Sequence, residues 1–79
     1  MTEPEMLRAF VNGTALSLPR SATVLDAVRA FDPVMAADVT AGTRAVTDSR
    51  GLPVALDAPL SGGAVLRVVS ARALREAAE

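Results

Sequence analysis

At 79 residues the chain has room for one domain, and a net charge of −1 gives it no electrostatic reason to seek a polyanion such as nucleic acid. It has no cysteine and no histidine, which excludes a disulfide framework, an iron–sulfur cluster and a thiol nucleophile, and removes the commonest general base and metal ligand. Hydrophobic residues make up 51% and charged residues 22%, the balance of a chain that folds rather than one that stays disordered.

Every basic residue is Arg and the chain is rich in Ala, a compositional bias rather than a device. Without Lys, only the α-amino group is open to an ordinary isopeptide-type acyl transfer. Phe10 and Phe31 are the only aromatic residues, too few for a base-stacking platform. No apolar run approaches the ~20 residues of a membrane span. The opening Met1-Thr2-Glu3-Pro4-Glu5 lacks the basic and apolar regions of a signal peptide, so a cytoplasmic location is expected.

Residues 1–5 read as a disordered lead. Met6 to Val11 alternates as a strand, with Leu7, Ala9 and Val11 on one face and Met6, Arg8 and Phe10 on the other. Asn12-Gly13 is a strong two-residue hairpin signal, because both residues tolerate positive φ. The return strand runs from Thr14 to Leu18, with Ala15, Leu16 and Leu18 as inward candidates, and Pro19 ends it.

A helix follows. Thr23 is its N-cap, and Asp26 three residues on completes a near capping box. Val24, Ala27, Val28 and Phe31 recur at i, i+3, i+4 and i+7, and Leu25 widens the stripe. Pro33 stops the helix near Phe31, and Asp32-Pro33 is placed to cap one further turn over Val34, Met35 and Ala36. Gly42 breaks the pattern again.

Thr43 to Thr47 reads as a strand, and Asp48-Ser49-Arg50-Gly51 as a turn. Leu52 to Leu56 reads as a short strand that Pro53 confines to an edge. Asp57 to Leu60 forms a tight turn, and Ser61-Gly62-Gly63 a loop. Ala64 to Val69 is the most strand-like run and the expected central strand. Ser70 to Glu79 reads as a helical tail, with Arg72–Glu76 and Arg75–Glu79 as i, i+4 pairs.

A hairpin, one main helix, two short strands, a strong final strand and a short C-terminal helix make an α+β domain. The arrangement expected is a β-grasp (ubiquitin-like) fold with a mixed four- to five-stranded sheet, whose last strand lies parallel beside the first. The domain is expected over residues 6–69, with a tail over 70–79.

Three stretches carry a resemblance. Phe10-Val11-Asn12-Gly13, Ala22-Thr23-Val24-Leu25-Asp26-Ala27-Val28 and Pro59-Leu60-Ser61-Gly62-Gly63-Ala64-Val65-Leu66 resemble, in order and spacing, the small sulfur-carrier family. That family comprises the thiamine-biosynthesis sulfur carrier and the small subunit of molybdopterin synthase. The resemblance implies a β-grasp fold and, for a working carrier, a Gly-Gly end that an adenylating enzyme activates. Here Ser70-Ala71-Arg72-Ala73 follows the last strand, and the sequence runs on to Glu79 without Gly. Side chains crowd the carbonyl where the chemistry asks for none. Gly62-Gly63 is no substitute, since cleavage there removes the last strand.

The expected function is therefore a non-catalytic interaction module for a protein partner. The alternative is a sulfur carrier or ubiquitin-like modifier activated by an adenylating enzyme after C-terminal processing. An enzyme is not expected, because no nucleophile–base pair is visible. No cofactor, metal, nucleic acid or membrane is expected. Asp48, Ser49 and Asp57 offer too few oxygen ligands in series for calcium. The candidate protein-binding surface is Met6, Arg8, Phe10, Arg44, Arg67 and Arg72. Arg44, Arg50 and Arg67 are expected to cluster on one sheet face. Phe10 is either exposed apolar bulk or partly covered by the tail helix.

Overall fold

The structure is a computed structural model that describes residues 6–78, with side chains to residue 76. The expected lead over residues 1–5 and the Arg75–Glu79 pair lie outside the described residues. The chain is a small α+β unit with one mixed four-stranded sheet and three helices.

β1 (Met6–Val11) and β2 (Thr14–Pro19) form the opening hairpin. Asn12 and Gly13 take φ of 51° and 84°, the pair of positive values a type I′ turn requires. The alternation along β1 is as expected, with Ala9 and Val11 fully buried. Two details of β2 differ from expectation. Ala15 is exposed and faces away from the core, because it sits opposite Phe10 in the ladder, while Leu16 and Leu18 turn inward. Pro19 is the last strand residue rather than the breaker, since the ladder asks nothing of its missing N–H.

α1 (Val24–Phe31) starts on a complete capping box. The Thr23 hydroxyl oxygen accepts the Asp26 N–H at 3.3 Å, and Asp26 Oδ2 accepts the Thr23 N–H at 2.9 Å. Val24, Ala27 and Val28 are buried. Asp32 then ends one helix and begins another. Its N–H donates to the Val28 carbonyl at 2.8 Å, and its Oδ1 accepts the Val34 N–H at 3.0 Å.

With Pro33 pre-set for a first helical position, α2 runs over Pro33–Ala41, nine residues rather than the single turn expected. Gly42 closes it in the left-handed conformation, at φ 90°. The sequence hid this helix because its apolar residues surround it. Val34 is exposed while Ala36 and Val39 are buried, so no one-sided stripe appears.

β3 (Arg44–Asp48) pairs antiparallel with β4 (Ala64–Ser70), and β4 pairs parallel with β1. The strand order is β2-β1-β4-β3, which places the Ala64 run centrally as expected. The expected strand over residues 52–56 does not form. Only Leu52 and Val54 bond to the outer edge of β3, through Asp48 N–H to Leu52 O (2.9 Å) and Val54 N–H to Val46 O (3.0 Å). Pro53 between them makes an isolated bridge with Thr47 and has no N–H to continue a ladder. α3 (Ala71–Ala78) follows β4 without a break.

The core lies between one sheet face and the pair α1 and α2. It is built of small side chains, the largest fully buried being Val11, Val28 and Val46. Phe31 only packs at its margin.

Candidate interaction surface

Cross-strand partners share a face, so the registers assign every strand side chain. The core face carries Leu7, Ala9 and Val11 with Leu66, Val68 and Val46. The opposite face carries Met6, Arg8 and Phe10 from β1, Ala15 and Ser17 from β2, Val65, Arg67 and Val69 from β4, and Ala45 and Thr47 from β3.

On this second face Phe10 sits between Ala15 and Val65. Val65 is 40% exposed and Met6 51% exposed, while Phe10 is half-buried. Met6, Phe10 and Val65 thus form an apolar strip on this face, while the exposed Val34 and Leu52 stand apart from it on α2 and beyond the edge of β3. Two guanidinium groups flank the strip along the strands. Arg8 lies two residues before Phe10 and Arg67 two residues beyond Val65, a spacing of about 13 Å at 3.3 Å per residue.

Arg29, Arg44, Arg50 and Arg72 each hold a carboxylate, from Asp26, Asp38, Asp48 and Glu76 at 3.1–3.3 Å. Among the described residues Arg8 and Arg67 hold none. Their charges are free to meet an incoming group.

The six candidate residues do not form one surface. Met6, Arg8, Phe10 and Arg67 come together on the open face. Arg44 is on the other side of the sheet, opposite Ser70, where its Nε donates to Asp38 of α2 at 3.2 Å. The expected clustering of Arg44, Arg50 and Arg67 is therefore corrected. One residue separates the two faces of a strand, and Arg44 has the parity of buried Val46 while Arg67 pairs with Thr47. Arg50 is in the turn after β3, bonded to Asp48. Arg72 is on α3 with Glu76.

α3 covers one end of the open face. Ala73 and Leu74 lie across Thr47, Arg67 and Val69, with Gly51 beside them, and enclose a groove of about 210 Å³. Thr47 is buried there although it points away from the main core. Phe10 sits further along, between Ala15 and Val65, so the strip around it stays open. Val65 was not singled out in the sequence. Its place in the alternation of the last strand, on the parity of Arg67, is the signal that finds it.

Two carboxylates are held below their ordinary range by local hydrogen bonds. Asp26 is lowered first by the Thr23 backbone N–H, then by the Thr23 hydroxyl and Arg29. Asp48 is lowered first by the Leu52 N–H and then by Arg50. Both belong to caps and turns, and neither lies on the open face.

No protein-family model, curated protein or solved structure matches the chain. Among the described residues, no helix is long and apolar enough to cross a membrane.

Proposed function

We propose that this chain is a non-catalytic β-grasp module, related to the small sulfur carriers, that binds a protein partner in the cytoplasm through its open sheet face. The observation that carries the reading is the strip Met6–Phe10–Val65 flanked by two guanidinium groups without carboxylate partners. A half-desolvated aromatic with charges at its rim is the layout of a binding patch, where the apolar centre supplies affinity and the charges set orientation.

The β-grasp reading is supported by the strand order β2-β1-β4-β3, with β4 parallel to β1 and with α1 and α2 packed on one face. The absence of Cys and His from the sequence favours binding over chemistry. The carrier alternative needs an extended, side-chain-free segment after the last strand. Residues 71–78 are helical instead, starting with an Ala71 N–H bond to the Thr43 carbonyl at 3.0 Å.

The test is affinity capture from the native host with three baits: the natural chain, Phe10→Asp and Arg67→Glu. A partner enriched on the natural bait and lost from both folded variants supports the reading. Equal recovery on all three overturns it. Intact mass of the protein from the same host addresses the carrier alternative, since a shortened thiocarboxylate form would replace the binding-module reading.

A further inference from the structure

We infer that the outer edge of β2 is a self-association site, at which two copies of the chain pair antiparallel about a twofold axis through Leu16. The inference is independent of the open-face reading. It rests on backbone groups in the plane of the sheet rather than on side chains above it.

The two edges of the sheet are treated differently. The outer edge of β3 is closed by its own chain, through the bonds to Leu52 and Val54. Along β2 the ladder fixes which backbone groups are free. In a two-residue hairpin the flanking pair, Val11 and Thr14, exchanges both hydrogen bonds, and bonded pairs then alternate. Thr14, Leu16 and Leu18 therefore bond to β1, while Ala15 and Ser17 turn their N–H and C=O groups outward. The Arg8 carbonyl corroborates this phase. Arg8 is opposite Ser17, and it bonds away from β2, to the Gly63 N–H at 2.7 Å. Thr14, Ala15 and Ser17 are exposed.

A strand with free groups at only two positions, with one residue between them, is complementary to its own copy. Rotation about Leu16 sets Ala15 against Ser17 of the second copy and Ser17 against Ala15. About four backbone hydrogen bonds close, by the same pairing rule. Leu16 meets its own counterpart in the close, non-bonded pair at the axis. It is only partly buried in the single chain, so pairing removes further apolar surface from water.

Pro19, which has no N–H to offer outward, confines the pairing to Ala15 and Ser17. Thr14 to Pro19 carries no charge, whereas natural edges are usually guarded by charged side chains. In the same register Arg20 falls beside Asn12 of the second copy, so no like charges are opposed. The isologous geometry closes on itself and stops at two copies. The contact is short and belongs to the weak, concentration-dependent class of interfaces, under about 1,200 Å² in total.

The experiment is sedimentation equilibrium with the natural chain and Ser17→Pro, up to concentrations on the order of 1 mM, the weak end of the affinity scale. The Ser17 N–H makes no bond to β1, so proline removes a donor used only in self-pairing. The natural chain should approach twice its monomer mass, and folded Ser17→Pro should dissociate at least tenfold more readily. Amide exchange on the unaltered protein gives a second readout that does not depend on the variant folding. The Ala15 and Ser17 amides should become protected as concentration rises, while other amides should not change. A natural chain that stays monomeric overturns the inference. So does a dimer unaffected by folded Ser17→Pro, or concentration-dependent protection confined to other residues.

Discussion

Asn12 and Val68, 56 positions apart, share a 3.0 Å hydrogen bond in which Asn12 Oδ1 accepts the Val68 N–H. The Asn12 N–H in turn donates to the Leu66 carbonyl at 3.0 Å. In a parallel ladder the Val68 N–H would go to the backbone carbonyl of residue 12. Positive φ at Asn12 turns that carbonyl away, and the side-chain oxygen takes its place. One residue therefore makes the hairpin turn and seats the central strand against it.

Asn12→Gly tests the second role alone, because glycine keeps the turn and loses the acceptor. A part-buried N–H left without a partner costs about 1–3 kcal/mol, and urea unfolding should find a loss in that range. Asn12→Asp keeps an acceptor and tolerates positive φ, so it should lose less than Asn12→Gly. Equal stability of Asn12→Gly and the natural chain would remove the strand-seating role.

The sequence made this hairpin legible as a turn but not as a clamp. Asn-Gly reports local dihedrals, while the bond to Val68 exists only once β4 lies parallel to β1. The same boundary between local and non-local runs through the rest of the fold. The capping box at Thr23 and Asp26, the stripe from Val24 to Phe31 and the alternation of Met6–Val11 are local patterns, and each stands where it was read. Only the first turn of α2 is legible in the sequence, because Val34, Ala36 and Val39 show no one-sided period. The face of Arg44 is not legible in the sequence, because the parity of a five-residue strand depends on which neighbour is buried, and that is decided by Val46 against the helices. In the site, the parity of Met6, Arg8 and Phe10 was readable. The coming together of Phe10 with Val65 was not, since it depends on the parallel register.

The capping box supports a second prediction. Thr23→Ala removes the oxygen that accepts the Asp26 N–H and should cost about 1 kcal/mol. Val28→Ala, at a fully buried position, should cost about 2 kcal/mol through two lost methyl groups and the cavity they leave. Phe10→Ala removes more atoms than either, yet it should cost less than Val28→Ala because Phe10 is outside the core cluster. Thermal unfolding of the three variants gives the ranking. A Phe10→Ala loss larger than that of Val28→Ala would mean that Phe10 serves the fold rather than a partner.

Acid should destabilise the fold through two identified carboxylates. Asp26 and Asp48 both titrate below their ordinary values in the folded chain. A carboxylate lowered on folding stabilises the native state at pH above its unfolded value and loses that contribution as pH falls toward the folded one. Melting temperature should hold from neutrality to about pH 5 and fall below about pH 4, near the unfolded Asp value. Asp26→Asn and Asp48→Asn should each start lower at neutral pH and show a shallower acid slope. Parallel acid slopes for the double variant and the natural chain would assign the effect to other groups.

The last prediction concerns α3, which has one half-buried large side chain to hold it. Leu74 lies over Thr47 and Val69, the Ser70 hydroxyl oxygen accepts the Ala73 N–H at 3.0 Å, and the Ala71 N–H bonds to Thr43. A helix of eight residues does not persist in water without such contacts. Leu74→Ala should therefore release the helix without unfolding the sheet. Amide exchange over residues 72–78 should rise toward the unprotected rate while Val46 and Val68 keep their protection. Detachment uncovers Thr47 and Val69 next to Arg67, so the open strip lengthens at the β3 end. A partner that uses only Met6, Arg8, Phe10, Val65 and Arg67 should bind Leu74→Ala as well as the natural chain. Weaker binding would mean that α3 itself is part of the interface, and unchanged exchange over residues 72–78 would mean that Leu74 is not what holds the helix down.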